Sequence, residues 1–596
     1  MQYNDRLDTG AARGKITFQT FEDLLVGLSA AENQSPGGRS NIETVGANEG
    51  VGPNGEVQYQ YRRYYGAAFA QDDFKVTARL TLNAGLRWEY VGPSFDKAGT
   101  IGNVWPSLLK QVPVPPPSGT LVGNVVAANY NPALINPYTG EPFGPPPTGV
   151  WTGPTRSFYQ NNTPLGKFAP RFGFAWQPFG VAGRAAVRGG YGWFYQATAF
   201  SANAASAPLF TSAPFAQGFT NTDASNGQSD LQKPFPTTTL GFVARTPTSQ
   251  LSDRIAGPEY KIPQLQQWNL SIQTKLPRAF TLDAGYVGSY GDHLLVGVGL
   301  NQARLASPNN PANCGYTGLP ADCITTNTTV NAELRVPFMG ESPSALTDSQ
   351  FTGESWYHGL QVTLRRQISN GLSFQSAYTV SKAMNNTSIY NDLNYLSRNW
   401  ARATFDRTHR SVTNFDYQFP NSVHSKGAAG KLLNGWFATG IVILQSGLPL
   451  TLTDPAGGAV YGEASASTVT LCPGRTAAAL VTSGSVEARL GGWINASGLC
   501  SPPAIGSDGA TGYGNAGQSL LDGPPQVNTD LSLGKRTVVG GLRENAELAF
   551  RVEFYNSLNH PQFSNPGTTL GTANFGVITQ TSVAPRLIQF ALKYLF

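Results

Sequence analysis

A transmembrane antiparallel β-barrel, with long loops at one end and short turns at the other, is the fold class that this 596-residue sequence predicts. Three observations carry the expectation. The chain finishes on a strand in which Ile588, Phe590, Leu592, Tyr594 and Phe596 share one face, while Gln589, Ala591 and Lys593 share the other and Leu595 is the exception. Segments of the same two-residue period recur along the chain. The connections between them alternate between long and short. The last residues of a water-soluble domain usually fray, whereas the last strand of an outer-membrane barrel shows an apolar stripe to lipid and ends in the interfacial aromatic girdle. Phe596 is therefore read as the terminal aromatic of barrel assembly.

The strands follow in order. Leu80, Leu82, Ala84, Leu86, Trp88 and Tyr90 lie opposite Thr81, Asn83, Gly85, Arg87 and Glu89. Phe172, Phe174 and Trp176 oppose Arg171, Gly173 and Gln177; Trp268, Leu270 and Ile272 oppose Asn269, Ser271 and Gln273. Leu360, Val362 and Leu364 oppose Gln361, Thr363 and Arg365, and Leu548, Phe550, Val552 and Phe554 oppose Glu547, Arg551 and Glu553. Turn residues punctuate these runs. About fourteen strands are expected, near 13–20, 58–77, 79–91, 167–178, 184–198, 265–276, 279–296, 355–368, 371–385, 407–419, 432–446, 525–537, 543–557 and 585–596.

The long connections cover roughly 21–57, 92–166, 199–264, 297–354, 386–406, 447–524 and 558–584, with short turns between them. With the C-terminus in the periplasm, counting back puts every long connection outside the cell, as in outer-membrane barrels. A soluble sandwich has no reason to obey that parity. The loops are rich in Pro, Gly, Asn and Ser, as at Val112–Pro117 and Pro142–Pro147, which suits partly ordered surface loops rather than a second core. Residues 21–30 form the one convincing short helix, expected to pack over the outer mouth.

Composition narrows the function classes. Charged residues are 13% of the chain, against roughly 25% in ordinary soluble domains. A mean hydropathy of -0.21 and the lack of any run near the roughly 18 to 20 apolar residues of a spanning helix exclude a helical membrane protein. The net charge of +5 is unclustered, so no nucleic-acid partner is implied. Three methionines and five histidines leave little material for metal or redox chemistry, and no cofactor is expected.

Four cysteines fall as Cys314 with Cys323 and Cys472 with Cys500, each pair inside one long loop and without CxxC spacing. Two loop-stapling disulfides in an oxidising compartment are the natural reading, against four unrelated thiols. The polar strand face carries Arg87, Glu89, Asp283, Arg365, Asp416, Asp530, Arg551 and Glu553. These are candidates for the wall of a lumen, which needs a polar lining whether water or a plug fills it. Asp406-Arg407-Thr408-His409-Arg410 sets an acid, a His and two cations where a strand begins, and reads as rim pairing, because no nucleophile accompanies it. Arg543, Glu544 and Glu547 read as rim charges as well. Gly189-Gly190-Tyr191-Gly192 lies in a strand and precedes no helix, so it marks close approach rather than a phosphate loop. Catalysis is not expected.

Residues 65–90, with Gln71-Asp72-Asp73-Phe74-Lys75 before a short turn and then Leu80-Thr81-Leu82-Asn83 and Gly85-Leu86-Arg87-Trp88-Glu89, resemble the barrel hairpin of TonB-dependent receptors. Phe74 and Trp88 there replace two aromatics by others. Arg551–Phe563 and the terminal Phe596 resemble the closing strands of that family, and Asp406–Arg410 with Asn434-Gly435-Trp436 resembles its Oar-like branch. The resemblance implies a barrel of about 22 strands, preceded by a plug and a carboxypeptidase-regulatory-like domain. It also implies the barrel-assembly machinery as a partner, and the TonB complex as another through an N-terminal segment.

No signal peptide, TonB box, plug or regulatory-like domain is visible. The expectation is therefore a partial barrel domain over 1–596, about eight strands short, whose first and last strands do not meet cleanly. The function expected is outer-membrane uptake of a large or scarce substrate, with outer-membrane lipid and an unidentified extracellular substrate as partners. The alternative is an adhesion or secretion-linked barrel whose loops bind partners without transport; a soluble all-β binding protein would instead extract without detergent. Trp105, Trp151, Phe158 and Tyr159 in the loops suit either sugar stacking or packing of the loops together.

Overall fold

Thirteen strands form one antiparallel path in the computed structural model. The structure describes most of 58–196 and 259–596, except 98, 100–101, 110–121, 136–141, 143, 147, 158, 160–165, 180–183, 345, 370, 388–395, 422–426, 463–466 and 541–544. It also describes 2–7, 15–18, 20–26, 42–50, 216–222 and 254–256. The path runs β1 (Tyr65–Thr77), β2 (Leu80–Val91), β3 (Lys167–Trp176), β4 (Ala185–Tyr195), β5 (Gln264–Leu276), β6 (Phe280–Gly299) and β7 (Thr347–Ser369). It continues through β8 (Leu372–Asn385), β9 (His409–Gln418), β10 (Trp436–Gln445), β11 (Gln526–Val538), β12 (Glu547–Tyr555) and β13 (Leu587–Leu595). Each strand of this path pairs with its neighbour along the chain, so the path is a meander; off it, Arg254–Ala256 adds in parallel to β7 and Ala401–Arg402 adds to β8.

Register carries one face across the whole sheet. Leu364 sits opposite Leu282 and Ser376, Val362 opposite Ala284 and Tyr378, and Leu360 opposite Tyr286 and Val380. On the last three strands, Leu531 meets Phe554 and Phe554 meets Ile588, while Val552 meets Phe590. Leu270, Ile272, Leu360, Phe590 and Leu592 on this face are all exposed. So broad an apolar surface is tolerable only against lipid.

Aromatic residues bound the apolar band. At the long-loop end, Trp356 packs 4.4 Å from Tyr290 and 5.7 Å from His358, and Tyr286 stacks on His358 at 6.1 Å. The Tyr286 and Tyr378 hydroxyls reach Nδ1 of His358 and His409 at 2.6 and 2.7 Å. At the other end stand Phe74, Trp176, Phe280 and Trp436. The eleven residues from Trp356 to Arg366 span about 33 Å along the strand, hence about 25 Å of membrane once tilted. Glycines sit beneath the rings: a Cβ on Gly288 would lie 2.3 Å from the Trp268 ring, and one on Gly189 2.4 Å from Phe174.

The connections after β2, β4, β6, β8, β10 and β12 are the long ones, and antiparallel alternation puts them at one end. Two strands outgrow the membrane there. β6 has 20 residues and β7 has 23, against the roughly 9 to 11 a crossing needs. Their extension buries Val296, Val298 and Phe351. No helix among the described residues is long and apolar enough to cross a membrane.

Several expectations need correction. The strand near 58–77 divides at Tyr64: Gln58–Arg63 pairs with Gln2–Leu7 and Phe95–Asp96 outside the barrel path. Burial of Arg63, whose Nη2 donates to Ser94 Oγ at 2.8 Å, turns the chain away there. The strand near 13–20 is described only as Lys15–Phe18 and pairs with Ile42–Gly50, not with the barrel. Helix α1 (Phe21–Val26) leaves Phe21, Leu24, Leu25 and Val26 exposed instead of packing them over the mouth. The strand expected near 432–446 starts only at Trp436, because Leu432 and Leu433 belong to helix α2 (Ala428–Leu433). β1 and β13 are the edges of the sheet, and their described side chains are almost all exposed.

Candidate functional site

The described parts of the long loops build a canopy with hydrophobic cores of its own, which corrects the expectation of partly ordered surface loops there; Val112–Pro117 lies outside the described residues. Its largest core among the described residues joins Leu450, Leu452, Val469, Leu480, Trp493 and Leu521 to Ile578 from the connection after β12. A second packs Val104 and Leu109 from the connection after β2 against Phe338 and Leu346 from the one after β6. Burial on this scale is the main source of fold stability, so these loops behave as a folded layer. The structure joins Cys314 to Cys323 and Cys472 to Cys500, both within this layer.

Polar contacts lock one loop to another. Arg335 is fully buried and its Nε donates to Asn331 Oδ1 at 2.7 Å. Its Nη2 donates to the carbonyls of Thr328 at 3.1 Å and Val460 at 2.5 Å, and its Nη1 donates to the carbonyl of Arg304. Burial lowers the guanidinium pKa, Tyr461 and Asp508 act in the opposite sense, and the direct hydrogen bonds all go to carbonyl oxygens. Arg335→Met should leave buried carbonyls unsatisfied at about 1–3 kcal/mol each. Protease cleavage between 301 and 345 should rise steeply while the barrel keeps its heat-modifiable gel mobility; unchanged cleavage would contradict the assignment.

Asp508 forms a second latch. Its Oδ2 accepts from the Thr329 amide and hydroxyl, both at 2.8 Å, and its Oδ1 from the Ala510 amide at 3.0 Å. The Thr329 amide, followed by the Ala510 amide and the Thr329 hydroxyl, holds the carboxyl below its ordinary value. A depressed folded value means the contribution is full above the ordinary carboxylate range and vanishes as pH falls through the lowered one. Amide exchange at Thr329, corrected for intrinsic rates, should therefore accelerate only in strong acid.

The Asp406–Arg410 segment ties the rim together. Asp406 is buried, accepts from the Ala383 amide at 2.8 Å, and lies 3.8 Å from Arg402. Arg402 also meets Asp522 at 2.6 Å, and the Arg407 guanidinium donates to the Ser446 carbonyl. The segment thus fastens the β8–β9 loop to the β10–β11 loop. Arg543 and Glu544 lie outside the described residues, as does Phe158. Trp105 is buried edge-on against the exposed Trp151 at 5.5 Å, and Tyr159 is buried against Tyr260 at 5.1 Å. Trp105 and Tyr159 therefore pack loops.

Register places the eight charged candidates on the face opposite the apolar band. Arg87 bonds Glu89 and reaches the Tyr65 hydroxyl at 2.9 Å. Arg551 donates to Glu553 at 2.9 Å, and Asp530 accepts from Asn528 and from the Asn556 amide at 3.2 and 2.8 Å. Asp283 takes a 3.5 Å bond from Gln273, which itself accepts from Arg188 at 3.2 Å. Arg365 lies opposite Thr281 and Gln375. Asp416 lines a cleft of about 690 Å³ with Gln418, Phe437 and Arg536 at the short-turn end.

The same face holds Arg171, Arg188 and Lys275, which pair in register with Gly192, Ser271 and Thr281. The alternation that exposed Arg87 would have found them. Phe437, Ile441 and Ile443 also fall on it, opposite Gly534, Asp530 and Asn528, an apolar stripe on an otherwise polar wall.

A meander with an apolar band between aromatic belts, a polar opposite face and a folded canopy defines an integral barrel of the bacterial outer membrane. The chain belongs to the family described as outer membrane beta barrel domain, which it matches over residues 1–589. No curated protein matches it. Among solved structures it is similar to the unliganded ferric citrate transporter FecA, with 10% identity, 93% of this chain and 46% of that one covered, and a TM-score of 0.35. It is also similar to the ferric yersiniabactin uptake receptor FyuA from Yersinia pestis, with 9% identity, coverage of 93% and 48%, and a TM-score of 0.36. The siderophore receptor PirA from Acinetobacter baumannii gives 9% identity, coverage of 93% and 51%, and a TM-score of 0.37. The chain spans about half the length of these structures.

Proposed function

We propose that this chain is the barrel part of a TonB-dependent receptor of the Oar-like branch, taking up a large or scarce substrate across the outer membrane. The observation that carries the reading is the folded, disulfide-bearing canopy above a wall of mixed charge. The receptor-like hairpin at 65–90 supports it from sequence. The canopy captures an extracellular substrate, and the eight charged residues line the passage. The stripe of Phe437, Ile441 and Ile443 offers an apolar seat for a segment packed inside the barrel. The canopy alone also suits the adhesive alternative.

Co-isolation of the full-length protein with the C-terminal domain of TonB separates the two readings. Transport requires the pair to co-purify from detergent-solubilised outer membranes. Surface binding with no TonB association would overturn the transport reading and favour adhesion.

A further inference from the structure

The connection between β9 and β10 is the longest at the short-turn end, and it contains α2. Three side chains of the apolar face hold this helix. Trp436 and Lys535 are paired in register, and Thr537 follows Lys535 on the same face. Trp436 Nε1 donates to the Leu432 carbonyl at 3.1 Å, Thr537 Oγ1 donates to the Lys431 carbonyl at 3.2 Å, and Lys535 Nζ donates to the Asn434 carbonyl. All three residues face lipid. The helix is therefore fastened to the outside of the sheet, at the margin where the apolar band ends.

Its own side chains continue that band. Leu432 is 67% exposed and Leu433 is 51% exposed, and Phe419 and Trp436 lie at the strand ends beside them. Among the described residues of this connection Lys431 is a cation and none is a carboxylate, and Lys535 Nζ stands 5.2 Å over the Trp436 ring. Apolar side chains below and cations at the margin match the headgroup boundary of a bilayer. Short turns face the periplasm, where the leaflet is phospholipid.

We propose that α2 is an interfacial helix seated in the periplasmic leaflet. Leu432 and Leu433 enter the acyl boundary, and Lys431 and Lys535 meet phospholipid phosphates. The proposal rests on the membrane placement of the sheet and not on the transport reading.

The test uses full-length protein in vesicles of phosphatidylethanolamine and phosphatidylglycerol, with an environment-sensitive fluorophore on Leu432→Cys. Val330→Cys in the canopy, whose parent residue is 86% exposed, is the aqueous control. Lipids bearing a quencher high on the acyl chain should quench position 432 several-fold more than aqueous iodide does, with the order reversed at 330. Adding Lys431→Glu should cut the lipid quenching at 432 by about half when phosphatidylglycerol is present. Equal iodide quenching at 432 and 330 would overturn the proposal, and so would protection of 432 from both quenchers, which would mean that protein covers the helix. Lipid quenching unmoved by Lys431→Glu would overturn the phosphate contact.

Discussion

Trp493→Ala should open the canopy core around Leu450, Val469 and Ile578 while leaving the barrel strands paired. Trp493 is 4% exposed, its Nε1 donates to the Asp522 carbonyl at 2.9 Å, and the Arg489 guanidinium lies 3.7 Å above its ring. Its amide donates to the Gly576 carbonyl at 2.7 Å, so it joins the β10–β11 loop to the β12–β13 loop. Truncating a buried Trp costs about 3–5 kcal/mol, and each 1.4 kcal/mol is tenfold. Exchange of canopy amides between 450 and 521 should accelerate by roughly a hundred- to a few-thousandfold, with β7–β9 amides unmoved. Unchanged exchange would show that the canopy has no cooperative core.

Removing the Cys472–Cys500 bridge should have the next largest effect. It closes 28 residues, against 9 for Cys314–Cys323. Chain entropy then assigns about 3.5 kcal/mol to the first and about 2.5 kcal/mol to the second. The longer bridge fastens a two-residue ladder, Thr470 with Cys500 and Leu471 with Leu499, beside Val469 and Leu480 of the main core. The double serine variant at 472 and 500 should therefore sensitise the canopy to protease more than the one at 314 and 323. The reverse order would show that strain or local packing, not loop length, governs these staples.

The barrel strands were legible because lipid on one side imposes a strict two-residue period, as from Leu360 to Leu364. Where that constraint lapses, the reading failed. Residues 347–354 of β7 pair above the membrane, where the canopy buries them, and their sequence shows no alternation. Leu432 and Leu433 stand only two residues before the apolar run that opens at Trp436, so the end of their helix reads as strand. The canopy cores were invisible for a different reason. Leu450, Val469, Trp493 and Ile578 are far apart in sequence and follow no period, so only tertiary contact brings them together. The Arg335 latch is equally nonlocal, since its partner Val460 lies in the loop after β10.

Direction along an antiparallel path is a two-valued label that flips at each strand. β1 and β13 are the first and thirteenth members of such a path, so they point the same way. A closed antiparallel ring returns to its starting label and therefore holds an even number of strands. Joining β13 straight to β1 would make a parallel ladder, and so would joining them through a second copy in the same membrane orientation. An all-antiparallel closure thus places an odd number of strands between these two edges.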